Sequence, residues 1–417
     1  MRLSDGARSA VRRLVWGLPG GGAIHSRLRA IQLLREYRRR RERYEAICRA
    51  RGYVYSWERS VEAIRGRLAQ RGWKPVERRL GEVHTFAVIP RYGWHDHLYD
   101  ELAHLGPVTE FDYRAFGYDV FRDFGAGTEE GRRRRREMNE RLLATLADAH
   151  AQRPVDWVFV YAHGVEVSRA TIAGITETLG LPTVNMCLDD KQSWEGIWMG
   201  DHRAGQVDIS SAFDVSWTSA RVACGWYLAE GARPLYLPEG CNPGVYQPLD
   251  VPQDLDVSFI GAAYGFRRRA VEFLRRHGAS VAVFGDGWGT RPVWGRDAVE
   301  VMCRSRINLG MGGIGFAEDL TNVKTRDFEV PCAGGGVYLT SFNSDLAQHF
   351  DVGREILCYR NRDEMLELIR YYLARPEECR AIARRARLRS LAEHRWLHRF
   401  AAICGVLGVL PEEAPGL

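Results

Sequence analysis

The chain has 417 residues, 45% of them hydrophobic, with 59 Lys+Arg against 53 Asp+Glu and a formal net charge of +6. That length exceeds what one core usually organises, so two domains are expected, and the ordinary apolar content excludes a wholly disordered chain. No uninterrupted apolar run of about 18 residues occurs, which argues against a membrane span. The opening, with Arg12 and Arg13 before a mixed stretch to Ile24, lacks the apolar centre of a secretory signal. Nine scattered cysteines form neither a C-x-x-C pair nor a Cys/His cluster, and read as reduced, mostly buried small hydrophobes of a cytosolic protein.

The charge is uneven. Residues 1–80 hold 21 Lys+Arg against 7 Asp+Glu, so the remainder is net acidic. Apolar residues at helical spacing (Leu28, Ile31, Leu34, then Tyr44, Ile47, then Val61, Ile64, Leu68), interrupted by the run Arg38–Arg41, predict two or three helices in a basic extension over 1–80. Such a basic surface fits contact with an anionic membrane face.

From residue 84 short apolar runs alternate with amphipathic helices, the signature of parallel α/β architecture. Expected strands are 84–90, 108–113, 156–161, 183–188, 215–218 and 234–237, with helices over 131–151, 167–179 and 220–230, giving a Rossmann-like domain over 81–241. The proline-bearing stretch 242–255 reads as a linker. A second cycle follows over 256–395: strands 257–261, 280–284, 307–310, 337–340 and 355–359, and helices 267–276, 296–305, 325–333, 345–350, 363–373 and 377–392. The last helix, from Trp396 to the end at 417, is expected to lean back on the first domain. The fold class is therefore α/β, two tandem Rossmann-like domains with a basic helical N-terminal extension. Its ligands belong in the cleft, at the C-terminal ends of the strands.

The segment Asn322–Gly336 (NVKTRDFEVPCAGGG) carries the most chemistry. A helix opening near Lys324 and Thr325 would aim bare amides and its positive dipole end at the cleft, and Lys324 and Arg326 would add full charges, which suits a pyrophosphate. Glu329, one turn in, is placed to accept hydrogen bonds from ribose hydroxyls. In the first domain, Asp189 and Asp190 close a strand and precede Lys191. A carboxylate there could take a proton from an acceptor hydroxyl, with the lysine holding its orientation or a phosphate. An Asp-Asp pair also commonly caps the following helix. His163, after one strand, and His95, in the loop GWHDH, are rival bases, and Gly93 would admit close approach of backbone to a ligand.

Eight pieces, among them PTVNMCLDDKQSW (182–194), LYLPEGCNP (235–243), DVSFIGAAYGFRR (256–268), VAVFGDGW (281–288), VKTRDFEVPCAGGGVYLT (323–340) and AEHRWLHRF (392–400), stand in family order over about half the chain. Together they resemble the bacterial glycosyltransferase group that includes the spore-maturation, CgeB-type proteins. The resemblance implies a glycosyltransferase-B fold and a nucleoside-diphosphate-sugar donor. It also implies no cofactor and no obligatory metal, the leaving diphosphate being neutralised by basic side chains and a helix N-terminus. It carries donor contacts onto Lys324, Arg326 and Glu329, with Gly261 and Arg267 near the phosphates and Gly285, Asp286 and Trp288 near the base; Asn322 and Thr325 belong to the same motif. Many retaining enzymes of this fold class have a second glutamate eight positions before Glu329; here that position is Thr321.

These readings make the chain a nucleotide-sugar-dependent glycosyltransferase acting on a glycan or lipid-linked acceptor, cytoplasmic or peripheral at the inner membrane face. A sugar-nucleotide epimerase of the same fold is the nearest rival, followed by a non-catalytic sugar-nucleotide binder. The run GMGGIG (310–315) fits a dinucleotide motif in letters, but it continues with FAEDLTN instead of entering a helix. Nucleic acid is not an expected partner, because no aromatic residues interleave the Arg38–Arg41 run.

Overall fold

The computed structural model describes residues 21–91, 93–124, 128–199 and 202–412. The opening of the basic extension, residues 1–20, lies outside them. Eight strands precede residue 240: β1 Thr85–Val88, β2 Val108–Glu110, β3 Trp157–Val160, β4 Thr183–Cys187, β5 Ile197–Met199, β6 His202–Ala204, β7 Val215–Thr218 and β8 Pro234–Tyr236. Six of them form one parallel sheet in the order β2-β1-β3-β4-β7-β8, while β5 and β6 pair as a separate hairpin. Runs such as TFAV, WVFV and VSWT are apolar or β-branched on both faces because both faces are covered, and every residue in them is buried.

The second half repeats the plan. β9 Leu255–Ile260, β10 Val281–Phe284, β11 Ser305–Leu309, β14 Val337–Ser341 and β15 Leu357–Tyr359 form a parallel sheet ordered β10-β9-β11-β14-β15. A two-stranded hairpin, β12 Gly313–Ile314 with β13 Ala317–Thr321, projects from it. Each sheet reverses direction once, between β1 and β3 and between β9 and β11, and at those switch points crevices open beyond the strand ends.

The expected alternation is present, with ends moved by a few residues. Three differences have physical causes. The helix Gly21–Arg51 runs unbroken through Arg38–Arg41, since arginine is a good helix former and Gln32–Glu36 and Arg41–Glu45 pair one turn apart along it. Its apolar residues serve two partners: Leu33, Leu34 and Tyr37 pack on the β12–β13 hairpin, Tyr44 and Ile47 on the first domain, and Leu28 and Ile31 stay exposed. Residues 345–350 shorten to a single 3-10 turn, Leu346–Gln348. The segment after the glycine run 310–315, expected as a loop, folds into the β12–β13 hairpin, and position 313 is glycine there because a side chain would collide with Phe266 and the Ala317 carbonyl.

The final helix, Trp396–Leu407, returns to the first domain. Trp396, Phe400 and Cys404 sit in the core that covers one face of the first sheet, Phe400 lying edge-on to Phe159 with centroids 5.3 Å apart. Glu101, buried under it, accepts hydrogen bonds from Leu397 N at 3.0 Å and from Arg395 Nη2 at 3.1 Å. Phe400→Ala is therefore expected to cost about 3–5 kcal/mol of stability, read as a lower urea midpoint for the transition that exposes Trp157 and Trp217.

Candidate functional site

The switch-point crevice of the second sheet is a cavity. Its floor is Phe259 and Ile260 from the end of β9 and Leu309–Gly312 from the end of β11. Gly310 is required there, as a Cβ would meet the Tyr338 hydroxyl at 2.2 Å. One wall is the first turn of the helix Arg326–Ala333, whose N-cap Thr325 supplies no side-chain hydrogen bond. In that turn the N–H groups of Asp327, Phe328 and Glu329 already donate to the carbonyls of Lys324 and Thr325, and Lys324 N donates to Asp327, so the positive end of the helix meets the cavity through its dipole and its side chains more than through free amides. The opposite wall comes from the first domain and the connection: Gly93, with φ 62°, His97 and Tyr246. Trp294, 58% exposed, stands at the rim.

Three cations converge on this space. The Arg326 guanidinium lies 2.9 Å from Glu329 Oε2, and Glu329 also accepts a 2.6 Å hydrogen bond from the Tyr246 hydroxyl. Burial works against the charge on Arg326, but Glu329, Tyr246 and Tyr338 together outweigh it and hold the pKa above the usual value. Lys324 behaves alike: burial opposes its charge, and Asp189, whose Oδ1 is 3.1 Å from Nζ, holds it on. Arg267 has no carboxylate partner among the described residues. It donates to the Ala262 carbonyl, lies 4.2 Å from the Tyr264 ring centroid, and burial lowers its pKa. Asp327, fully enclosed, accepts from Lys324 N and the Tyr338 hydroxyl, and burial pushes its pKa up to about 6.

The structure thus brings Arg267, Lys324, Thr325, Arg326, Glu329 and Gly93 to one cavity. The remaining donor-side candidates lie elsewhere. Asn322 donates from Nδ2 to the Leu188 carbonyl at 2.7 Å and ties the two halves together. Gly285, Asp286 and Trp288 form the turn after β10, away from the cavity wall; the Trp288 indole donates to the Gly261 carbonyl at 2.7 Å and stacks edge-on against Phe259, which uses both in holding that turn. Gly261 is glycine because a side chain would press on Phe259 and Arg267.

On the first-domain side the candidates separate sharply. Asp190 is wholly buried: it opens the short helix Asp190–Ser193, turns inward, and accepts hydrogen bonds from the hydroxyls of Thr218 and Tyr227. It does not reach the cleft, which corrects its reading as the base. Lys191 is corrected likewise, its Nζ donating across the domain boundary to the Thr321 carbonyl at 2.8 Å. His95 is buried with Nδ1 2.8 Å from the Pro90 carbonyl, and burial lowers its pKa to about 4, so it is a neutral structural ring. Asp189 faces the cleft. The His163 side chain is 30% exposed; Glu166 lies behind it, holding the His163 backbone N–H at 2.9 Å, its Oε2 4.0 Å from Nδ1. His163 and Glu166 line a second cavity with Tyr113, Arg114, Gln192 and Ile197.

Sequence reasoning missed Tyr246, Trp294, His97, Asp327, Tyr338 and Glu239. Tyr246 was concealed in the linker, although a tyrosine amid polar and proline residues is itself a signal that its hydroxyl has a partner. Glu239 follows β8, is 2% exposed, has one carboxyl oxygen without a hydrogen-bond partner, and burial raises its pKa well above the carboxylate range.

With this geometry in view, the relatives are informative. Residues 267–405 match the family described as glycosyl transferase-like. Over those residues the chain is similar to that family. The two-sheet arrangement of the chain is similar to that of sucrose-phosphate synthase from Thermosynechococcus elongatus, with 12% identity and a TM-score of 0.51 over 77% of this chain and 98% of that one. It is also similar to Anabaena Alr3699/HepE in complex with UDP and glucose, at 10% identity and a TM-score of 0.50 over 77% and 99%. Both likenesses establish the glycosyltransferase-B fold. No curated protein matches the chain.

The Asp190 carboxyl has a pKa raised to about 6, mainly by burial, against an ordinary 3.8. A group that holds its proton more tightly when folded adds stability that is complete below about pH 4 and is lost as pH rises through about 6. Asp190→Asn cannot titrate, so its urea-unfolding stability is expected to lack that part of the decline between about pH 4 and 7, with donor affinity unchanged.

Proposed function

We propose that the protein transfers a sugar from a nucleoside-diphosphate donor to an acceptor hydroxyl, with the diphosphate in the cavity at the N-terminus of the helix Arg326–Ala333. The observation that carries this is the set of three cations around one cavity, of which Arg267 has no carboxylate of its own among the described residues. An anion entering there gains charge-assisted hydrogen bonds and completes the neutralisation of that set. Glu329, fixed by Tyr246 and Arg326, presents a carboxylate oriented for ribose hydroxyls, and the exposed ring of Trp294 offers a flat face for a base or sugar. The HepE structure containing UDP and glucose supports a uridine donor by analogy of fold.

The acceptor belongs against the first domain, in the cavity lined by His163. His163 is the base in this reading, since its imidazole is partly exposed in that cavity with a carboxylate behind it, whereas Asp190 and His95 are enclosed. The acceptor is a surface glycan or lipid-linked saccharide, and the protein belongs to the CgeB-type branch, acting in the cytoplasm or at the inner membrane face. The exposed arginines of the helix Gly21–Arg51, Arg38 and Arg39 among them, would meet anionic lipid there, and no described helix is long and apolar enough to cross a membrane. No metal is proposed, the cations of the cavity taking the role of neutralising the leaving diphosphate.

A thermal-shift panel of sugar nucleotides tests the donor directly: one should raise the melting temperature in proportion to the logarithm of its concentration. Lys324→Ala is expected to weaken that nucleotide about tenfold or more; unchanged affinity would remove the diphosphate cavity from the account. His163→Ala should lower turnover about 100-fold or more while leaving donor affinity intact, as measured by product formation beside calorimetric titration.

A further inference from the structure

Lys324 differs from the other two cavity cations in where its partner comes from. Arg326 pairs with Glu329 three residues along its own helix, and Arg267 rests on Ala262 and Tyr264 nearby in sequence. Lys324 instead reaches across the cleft to Asp189 of the first domain, 3.1 Å away. On either side of that pair the same two loops are already joined by buried contacts, Asn322 to the Leu188 carbonyl at 2.7 Å and Lys191 to the Thr321 carbonyl at 2.8 Å. The ion pair is therefore not needed to hold the loops. It is also the open member of the seam, with 47% of the Asp189 side chain and 29% of that of Lys324 accessible. A half-solvated pair of this kind contributes little net stability, so a second anion competes for the ammonium at small cost.

Building on the proposed donor cavity, we infer that Asp189 is an exchangeable stand-in for the donor: it neutralises Lys324 in the empty cleft, and an incoming diphosphate takes Lys324 and sets the Asp189 carboxylate free toward the acceptor side. The ammonium stays where it is, since Lys324 lines the cavity, while Asp189 is already half in water and moves by a side-chain rotation. Lys324 is the principal cause of the depressed pKa of Asp189, and His163 also contributes. The exchange makes acceptor-side charge depend on donor occupancy. An acceptor hydroxyl arriving before the donor finds Asp189 committed; one arriving after finds a carboxylate able to orient it or to stabilise a protonated His163.

Titration calorimetry of the full chain with UDP, for the unaltered protein, Asp189→Asn, Lys324→Ala and the double variant, decides the matter. Exchange predicts that UDP binds Asp189→Asn about five- to tenfold more tightly, because Lys324 no longer has to leave a carboxylate, and that this gain vanishes when Lys324 is absent. UDP binding to the unaltered chain with equal or weaker affinity in Asp189→Asn overturns the exchange and leaves the donor cavity standing. No binding of UDP, GDP or dTDP to either protein overturns the cavity and the exchange together. Should Asp189→Asn not fold, a crystal of the unaltered protein grown with UDP replaces it: Lys324 Nζ on a phosphate oxygen and beyond hydrogen-bond reach of Asp189 supports the exchange, and an intact Lys324–Asp189 pair beside bound UDP overturns it.

Discussion

Charge withdrawn from water has to be answered inside the protein, and the cleft is organised by that requirement. Arg267, Lys324 and Arg326 stand around one cavity, and removing an ion from water costs several kcal/mol unless it is paired. Glu329 and Asp189 answer two of them. Burial also raises the pKa of the enclosed neighbours Asp327, to about 6, and Glu239, so their negative charge is the more weakly held. A ligand with two adjacent negative charges is the chemistry that such a lining fits, and the positive dipole end of the helix Arg326–Ala333 faces it from one wall.

The architecture was legible because its signals are periodic. Continuous apolar runs such as WVFV and VSWT read as strands covered on both faces, and the helix Arg267–Arg276 lies where the pattern put it. That Lys324 and Arg326 line the cavity was legible for a similar reason, since a strand-loop-helix with basic residues at the helix start fixes which end of the helix meets the cleft, whereas Arg267 was reached only through the family resemblance. The acceptor side was not. That Asp189 and Asp190 end a strand says where their backbone is, but neighbouring side chains point different ways, and only the fold shows that the hydroxyls of Thr218 and Tyr227, 28 and 37 residues away, draw Asp190 inward. Lys191 was misread on the same ground, its target being a carbonyl 130 residues later.

Two further features were hidden by composition. The β12–β13 hairpin begins with a two-residue strand containing glycine and has an irregular register, so no alternation marks it. Its existence depends on the long N-terminal helix, whose Leu33, Leu34 and Tyr37 cover Ile314, Ala317 and Leu320. The arginine run that looked like a break in that helix is partly structural as well: Arg40 is buried, donating to the Lys191 carbonyl and lying 5.3 Å from the Trp226 ring centroid, while Arg38 and Arg39 remain outside.

The same helix explains how the two halves keep a defined relation although their sheets are separate. Toward its N-terminal end it rests on the hairpin whose second strand leads directly into Thr321, Asn322 and Lys324. Further along, Tyr44 donates to Glu230 and accepts from the Trp194 indole, and Trp194 closes the short helix that begins just after Asp189. One element therefore carries both loops that meet at the seam. Sliding the domains past one another would have to strip apolar contacts from that helix at two places, whereas rotating one carboxylate disturbs neither. A response of the acceptor side to the donor is thus most easily carried by side chains at the seam, within a frame that the N-terminal helix holds at both ends.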